Sequence, residues 1–154
     1  MGKSGIVKLR EGTDVVSNEA EIFSHIFQLT RDFERNFRDQ GAENLSTTQF
    51  QALNILKGGA PVTAMDMAGR LEVAGPTATR TIDSLARRRF VVKDRDPQDR
   101  RIVWLRLTES GQMALEHETI RQIAWVERLL ANLTPLEHQA LLALLAKILP
   151  GMSS

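Results

Sequence analysis

The side chains best suited to binding a charged partner are concentrated between Gly75 and Leu107. This window holds nine basic and four acidic residues, a difference of +5, whereas the whole chain of 154 residues carries +1. A basic segment on a chain that is otherwise near neutral is typical of a nucleic-acid contact. The basic residues of the window are Arg80, Arg87, Arg88, Arg89, Lys93, Arg95, Arg100, Arg101 and Arg106.

Helical spacing gives the first part of this window two different faces. Gly75 and Pro76 favour the start of a helix, because proline at the first helical position has its φ already set. Ala78, Ile82 and Leu85 then form an apolar stripe that is expected to face a core. The other predicted face carries hydroxyl and guanidinium groups, which suit base edges and phosphates in a major groove. Its side chains are Thr77, Arg80, Thr81, Ser84 and Arg88.

The segment after this helix predicts a β-hairpin with a charged tip. Val91 and Val92 precede a polar turn that contains Pro97, and after it Val103, Leu105 and Leu107 alternate with Ile102, Trp104 and Arg106. Two such runs around a turn indicate antiparallel strands. A helix followed by a charged hairpin predicts a winged helix. The charged residues of the predicted tip are Asp94, Arg95, Asp96, Asp99, Arg100 and Arg101.

Two shorter helices are expected before the basic helix. Ser46 and Thr63 are each followed three residues later by a side chain that can complete a capping box. The helix opened by Thr63 leads through residues 72–75 into the basic helix. Two short helices joined by a tight turn, with the basic polar face on the second, predict a helix-turn-helix.

Three further helices supply large apolar faces. One spans about 17–38 and contains four of the six phenylalanines, and Gly41 is expected to break it. A second runs from Thr108 to about residue 132, and a third, capped by Thr134, runs to about residue 149 with its leucines facing inward. These faces exceed what one pair of helices can hide, so we expect a second copy of the chain to cover them.

The predicted fold class is mainly α with a small β-hairpin wing, a winged helix-turn-helix joined to a helical dimerisation region. Five regions are expected along the chain. They are a flexible arm at 1–17, an N-terminal helix for dimerisation and a pocket at 18–45, the DNA-binding lobe at 46–108, C-terminal dimerisation helices at 109–149, and a tail at 150–154.

Composition excludes several other classes of protein. The absence of cysteine excludes disulfides, thiolate nucleophiles and cysteine zinc sites. No apolar run approaches the length of a membrane span, and residues 1–10 lack the apolar centre of a signal peptide, so we expect a cytoplasmic protein. No nucleophile elbow or phosphate-binding glycine loop is present, which predicts a protein that is not an enzyme and has no cofactor. His25, His117 and His138 lie too far apart for a local ligand pair, so no metal site is expected.

Three motifs give the chain a resemblance to a known family. The first is 76–80, Pro-Thr-Ala-Thr-Arg, at the start of the basic helix; the second is 96–101, Asp-Pro-Gln-Asp-Arg-Arg, in the wing; the third is 107–111, Leu-Thr-Glu-Ser-Gly. With these spacings and this helix order, the chain resembles the MarR (multiple antibiotic resistance regulator) family of bacterial transcription factors. The resemblance implies a homodimeric regulator that binds a pseudo-palindromic double-stranded DNA operator, commonly as a repressor released by a small molecule.

The resemblance also implies roles for individual residues. Thr77 and Arg80 correspond to groove-contacting positions, and Asp99 matches the family's wing carboxylate, which holds the guanidinium of Arg101 for insertion into a minor groove. Where the family usually has glycine after this helix, the chain has Arg89, at a cost of about 1 kcal/mol if the left-handed backbone is kept. The predicted DNA-binding residues are Thr77, Thr79, Arg80, Thr81, Ser84, Arg87, Arg88, Arg95, Asp99, Arg100 and Arg101.

An effector cleft is implied between the first helix, the long helix and the DNA-binding lobe. Its aromatic and basic candidates suit a small aromatic carboxylate, and they are Phe23, His25, Phe27, Arg31 and Trp125. Two alternatives remain open from the sequence. The basic surface could bind an acidic protein as an interaction module, or the protein could be an architectural DNA binder without an effector.

Overall fold

Residues 17–38 and 45–149 are described by the computed structural model, and they fall into two compact units, one ending at Arg35 and one beginning at Asn36. The predictions of a flexible arm, a helix break at Gly41 and a C-terminal tail lie outside the described residues, apart from Ser17. The helices and strands are α1 (Asn18–Arg38), α2 (Thr47–Lys57), β1 (Val62–Thr63), α3 (Ala64–Arg70), α4 (Gly75–Arg87), β2 (Val91–Arg95), β3 (Val103–Leu107), α5 (Glu109–Leu129) and α6 (Pro135–Ile148).

This order of helices with a small antiparallel sheet confirms the predicted fold class. α4 begins at Gly75, so Pro76 occupies the second helical position and not the first. α5 ends at Leu129, three residues before the predicted end. No helix among the described residues combines the length and apolar character that a membrane crossing requires.

Side-chain caps set the starts of four helices as predicted. Ser46, Thr63 and Thr134 each accept a hydrogen bond from the backbone N–H three residues on, and each receives the reciprocal bond of a capping box. Thr108 accepts from the N–H of Gly111 at 3.0 Å. Each cap satisfies donors that a helix start leaves unpaired, so these starts are fixed by local sequence.

The core of the DNA-binding lobe lies where α2, α3, α4 and the start of α5 pack on the sheet. The apolar stripe predicted for α4 is buried in it, which confirms that assignment. Phe50 packs beside this core and contacts Phe37 edge to face, with ring centroids 5.5 Å apart. The core residues are Leu45, Ala52, Leu53, Leu56, Val62, Met67, Leu71, Ile82, Leu85, Phe90, Val91, Leu105, Ala114 and Leu115.

The wing is the outer part of a sheet with strand order β1-β3-β2. The antiparallel pairing of β2 with β3 brings Val91 opposite Leu107 and Arg95 opposite Val103. β1 pairs with the other edge of β3, and sequence analysis missed it. A strand of two residues is too short to show alternation, and only its pairing to Leu105 and Trp104 defines it.

The two helices of the helix-turn-helix end in the same way. After α4, Arg89 has a φ of 61°, its N–H donates to the Ala86 carbonyl at 3.0 Å, and the Phe90 N–H donates to the Leu85 carbonyl at 3.0 Å. After α3, Glu72 has a φ of 52° with the equivalent bond pair. Both ends are Schellman motifs in which glycine is the usual residue. The left-handed geometry expected at Arg89 is therefore kept.

The C-terminal helices are packed very differently from the lobe. All of α6 lies within the described residues, and none of its side chains is buried. The side chains of α6 that were expected to face inward are therefore not buried within one chain: Leu144, Leu145 and Ile148 are 55%, 43% and 69% exposed. α5 buries one face of its first half, which includes Ala114 and Leu115, and exposes Ile120 and Ile123 further along. The helical pattern of both segments is confirmed, but among the described residues the apolar side chains of α6 are left unburied.

Candidate nucleic-acid interface

The exposed side of α4 presents hydroxyl and guanidinium groups, most of them in its first two turns and one at its last residue. Thr77, Thr79, Arg80 and Arg87 are all exposed. The Thr79 hydroxyl donates to the Gly75 carbonyl at 3.1 Å, and the Arg80 Nε donates to the Pro76 carbonyl at 3.4 Å. Both side chains thus lie against the start of the helix, where their remaining donor and acceptor groups face solvent.

Two of the predicted contact residues are turned towards the interior. Thr81 is 9% exposed, and its hydroxyl donates to the Thr77 carbonyl at 2.9 Å. Ser84 is half-buried, and its hydroxyl accepts from Gln49 Nε2 at 2.9 Å. An α-helix makes one turn every 3.6 residues, so Thr81 lies beside the buried stripe that contains Ala78 and Ile82. The outward face of α4 is therefore narrower than its polar sequence predicted.

Arg88 occupies the capping position where α4 ends, and it does not continue the row formed by Thr77 and Arg80. Its side chain is half-buried, and the guanidinium carbon lies 4.5 Å from the centroid of the Phe90 ring. A cation over an aromatic face at this distance is stabilising. Arg88 therefore has a structural contact that the helical count could not show.

An open cavity of about 720 Å³ lies between α4 and β2. The Lys93 ammonium on β2 contacts the Asp83 carboxylate on α4, with 2.7 Å between Nζ and Oδ1. The sequence alone indicates no role for either residue. The cavity is lined by Arg80, Asp83, Ala86, Arg87 and Lys93.

The wing tip is organised by Asp96. One oxygen of its carboxylate accepts from the backbone N–H groups of Gln98 at 2.8 Å and Asp99 at 3.0 Å, and the other accepts from the Trp104 indole N–H at 3.0 Å. These bonds lower the pKa of Asp96 below its ordinary value, and the bond from the Trp104 indole has the largest effect. Asp96 therefore fixes the turn as an anion, a role that the sequence alone did not reveal.

Asp99 and Arg101 form the pair that the wing motif implied. Arg101 Nε and Nη2 donate to the two carboxylate oxygens of Asp99, both at 3.0 Å, and the backbone N–H of Arg101 donates to the same carboxylate at 3.0 Å. This contact lowers the pKa of Asp99 and raises that of Arg101. The Arg101 side chain is 90% exposed, so a braced cation projects from the tip, beside exposed Arg95 and Arg100.

The third sequence motif joins the end of α4 to the start of α5. The hydroxyls of Thr108 and Ser110 both donate to the Arg89 carbonyl, at 2.7 and 2.9 Å. A Cβ on Gly111 would lie 2.1 Å from the Phe90 carbonyl oxygen, so the close approach of the two backbones requires glycine. The motif therefore binds the turn at Arg89, which follows α4, to the start of α5.

Comparison with known proteins shows which family the chain resembles. The model of the MarR family matches residues 43–102, which cover the helix-turn-helix and most of the wing. The HTH-type transcriptional regulator YkoM of Bacillus subtilis (strain 168) is 28% identical over 137 residues, which are 89% of this chain and 88% of YkoM. The chain is thus similar to the MarR family, most specifically over residues 43–102. It is a transcriptional regulator with a DNA-binding winged helix-turn-helix fold.

Solved MarR-family structures have the same architecture. Wild-type MarR of E. coli in its apo form gives a TM-score of 0.70 at 25% identity, and the match covers 84% of this chain and 97% of MarR. BpsR of Bordetella bronchiseptica, whose DNA binding is regulated by 6-hydroxynicotinic acid, gives 0.67 at 22% identity over 83% of this chain and 98% of BpsR. The fold thus extends well beyond the residues that the family model matches.

Of the residues predicted to contact an effector, those on α1 do not all share one side of that helix. On α1, Phe23 and Phe27 stack with ring centroids 6.2 Å apart, and Arg31 follows at the same spacing. His25 lies two positions from Phe23, hence on a different side of the helix, with its Nε2 3.8 Å from a Glu21 oxygen. Trp125 is half-buried on α5.

A polar network at the other end of α1 also escaped sequence analysis. Glu118 on α5 is 4% exposed, and its carboxylate accepts from Arg121 at 2.6 and 3.1 Å and from Gln122 at 2.5 Å. The Asn36 amide donates to Gln122 at 2.8 Å, and the Asn36 carbonyl accepts from Arg121 at 2.8 Å. The buried carboxylate is thus paired, which offsets the cost of its desolvation.

Proposed function

We propose that this MarR-family regulator is a homodimer that binds a pseudo-palindromic DNA operator and represses transcription when bound. The observation that carries this proposal is the placement of exposed cations on two adjacent projecting elements, α4 and the wing tip. Duplex DNA presents a wide groove to a helix and a narrower one beside it to a flanking arm or hairpin. The exposed cations are Arg80 and Arg87 on α4, with Arg95, Arg100 and Arg101 on the wing.

In this proposal α4 enters the major groove. Thr77, Thr79 and Arg80 contact base edges and nearby phosphates, and Arg87 contacts the phosphate backbone. Ser84 contributes by holding α4 against α2, because its hydroxyl accepts from Gln49, whereas the Thr81 hydroxyl is bonded within α4 to the Thr77 carbonyl.

The wing is proposed to enter the adjacent minor groove with Arg101 at its tip. A narrow A/T-rich minor groove concentrates negative potential, which attracts a guanidinium. The two bonds from Arg101 to Asp99 restrict the side chain before binding, and this lowers the entropy lost on contact. Arg95 and Arg100 are proposed to bind flanking phosphates.

Dimerisation is proposed to involve residues 18–45 and 109–149. The support is the apolar surface of these segments in one chain: Phe23, Leu136 and Leu142 are 69%, 75% and 70% exposed. A monomer rarely leaves so much apolar surface in water. A two-fold dimer would place its α4 helices about 34 Å apart, one turn of DNA. Because an operator must be reached, we also propose a cytoplasmic location.

The test is selection of duplexes from a random library by the purified protein, followed by binding titrations. We expect an inverted repeat to be enriched. Arg80→Ala should weaken binding to the enriched duplex by about 1–3 kcal/mol and relax base preference. Lys57→Ala, which removes an exposed cation at the end of α2 outside the proposed DNA and dimer contacts, is the control and should bind like the parent. Equal, weak binding of duplexes with and without the repeat would contradict the operator proposal.

A small aromatic carboxylate is the proposed effector. On α1, the stacked pair Phe23 and Phe27 together with Arg31 offers aromatic faces and a cation on one side of the helix. Trp125 and His25 remain candidates from other positions. An effector acts only by binding one state of the dimer better than the other. Benzoate and 6-hydroxynicotinic acid should therefore raise the melting temperature and weaken DNA binding of the parent, and Arg31→Gln should reduce both effects.

A further inference from the structure

The cavity between α4 and the wing has one acidic group among its charged lining residues. Arg80, Arg87 and Lys93 are the cations that line it, and Asp83 is the anion. Asp83 lies three residues after Arg80 and four before Arg87, so all three side chains share one side of α4. A carboxylate at this position opposes phosphate binding, which makes its presence in a DNA interface a feature that needs a physical reason.

Asp83 is engaged by Lys93 from the neighbouring strand. The contact of 2.7 Å between Oδ1 and Nζ is an ion pair between α4 and β2. The two side chains keep 49% and 42% of their exposure, so the pair is accessible to solvent and to a competing anion. Lys93 extends from β2 towards α4, whereas the cations of the wing tip lie at the far end of the hairpin.

We propose that Asp83 is a positioning residue that limits the sequence-independent affinity of the DNA interface by holding Lys93 away from phosphates. The inference rests on the proposed function, since it requires that α4 and the wing contact DNA. It assigns to Asp83 an action through Lys93, without direct contact with a base.

The physical reason is that phosphate contacts carry no sequence information but add to the affinity for every duplex. Each lysine that binds a phosphate releases counterions, and the slope of log affinity against log salt steepens by about 0.9. Affinity of this kind is shared by all states of the protein that present the interface. An effector could not remove it, because a ligand shifts binding only by its differential affinity for the two states. Because Lys93 is restrained, an effector can still control the release of the protein from DNA.

The test measures salt dependence on a mixed-sequence duplex of 30 base pairs, using the full chain. Asp83→Asn should steepen the slope by about 0.9 for each protomer, or about 1.8 for a dimer. Its affinity should then fall about tenfold more than the parent's between 50 and 200 mM salt. Asp83→Asn/Lys93→Gln should return to the slope of the parent, because the gain depends on the freed ammonium.

Asp94→Asn is the matched control. Asp94 lies on the same strand and pairs with Arg106 at 2.6 Å, outside the residues that line the cavity. The substitution changes the net charge by the same amount, so an effect of charge alone would appear in both variants. We expect the Asp94→Asn slope to match that of the parent.

Three results would overturn the proposal: a parental slope for Asp83→Asn, a steeper slope retained in the double variant, or an equal effect of Asp94→Asn. Lys93→Gln alone provides a check that leaves Asp83 intact. It should keep the parental slope, whereas a lysine already bound to phosphate would make the slope shallower by about 0.9 per protomer. A parent that binds neither the mixed nor an enriched duplex would instead remove the proposed function, and this inference with it.

Discussion

The DNA-binding lobe and α6 show two ways in which one amphipathic pattern can be used. In the lobe, capped helices pack on a sheet and bury residues such as Leu53 and Leu115 completely. α6 has an equally good capping box at Thr134, yet none of its side chains is buried. Local signals are therefore sufficient to start a helix, whereas burial requires a complementary surface. In the lobe that surface is within the chain, and for α6 we propose a second protomer.

The largest expected effect is on stability, and it distinguishes a leucine buried in the lobe from a leucine exposed on α6. Leu53→Ala removes a fully buried side chain and should lower the free energy of unfolding by about 2–5 kcal/mol. Leu142→Ala makes the same chemical change on α6, where the side chain is 70% exposed. It should instead raise the dimer dissociation constant measured by sedimentation. A Leu142→Ala protein with parental assembly and a loss in urea titration equal to that of Leu53→Ala would contradict the comparison.

The next effect concerns the junction through which the lobe meets α5. Gly111→Ala places a Cβ against the Phe90 carbonyl oxygen, and both are backbone-anchored. Overpacking of this kind should lower the free energy of unfolding by about 1–3 kcal/mol. Gly69→Ala is the matched control, because its Cβ would meet no atom within 4 Å and α3 should gain up to about 1 kcal/mol. Chemical denaturation measures both, and two losses of equal size would show that the effect is not specific to Gly111.

The features that sequence could predict are those fixed within one or two turns of chain. The capping boxes at Ser46 and Thr63, the buried stripe of α4 and the hairpin all follow from spacing alone. The family's preference for glycine at position 89 raised the question of a left-handed backbone there but left open whether Arg89 keeps it, and the φ of 61° shows that it does. These elements depend on neighbours along the chain, which the sequence shows directly.

The features that escaped prediction depend on neighbours in space. The pairing of β1 with β3, the bond from Gln49 to Ser84 and the bond from Trp104 to Asp96 each join separate elements. Thr81 was assigned to the contact face because its type is polar, but its hydroxyl is satisfied by the helix's own backbone. Polarity alone cannot distinguish a group that faces a ligand from one that is bonded internally.

A smaller effect tests how much the positive φ of Arg89 lowers the free energy of unfolding. Arg89→Gly relieves a positive φ at a helix end and should raise the free energy of unfolding by up to about 1 kcal/mol. Arg87→Gly, two positions earlier and inside α4, should lower it by about the same amount. Thermal and urea unfolding of both variants measure this difference. A loss in both would mean that the Arg89 side chain makes a stabilising contact that outweighs the strain.

The smallest effect tests whether the wing tip is held by its own ion pair. The pKa of Asp99 is lowered chiefly by the Arg101 guanidinium, which favours the ionised carboxylate in the folded protein. A lowered folded pKa contributes stability above the ordinary value of 3.8, and that contribution is lost as the pH falls through the folded pKa. Bracing of Arg101 should therefore persist at neutral pH and weaken only in acid below 3.8.

Carboxyl carbon NMR titration can resolve this pair from its neighbour. Arg101→Gln should move the pKa of Asp99 back towards 3.8 and leave that of Asp96 low, because Asp96 is bonded mainly by Trp104. Trp104→Phe should have the reverse selectivity. If either substitution shifted the pKa values of both carboxylates equally, the residues of the tip would be coupled. Arg101 would then not be positioned by Asp99 alone. Independent pKa shifts would instead show that the Arg101 side chain is positioned by contacts within its own turn. The exposed apolar side chains of α6 have no comparable local contacts that bury them.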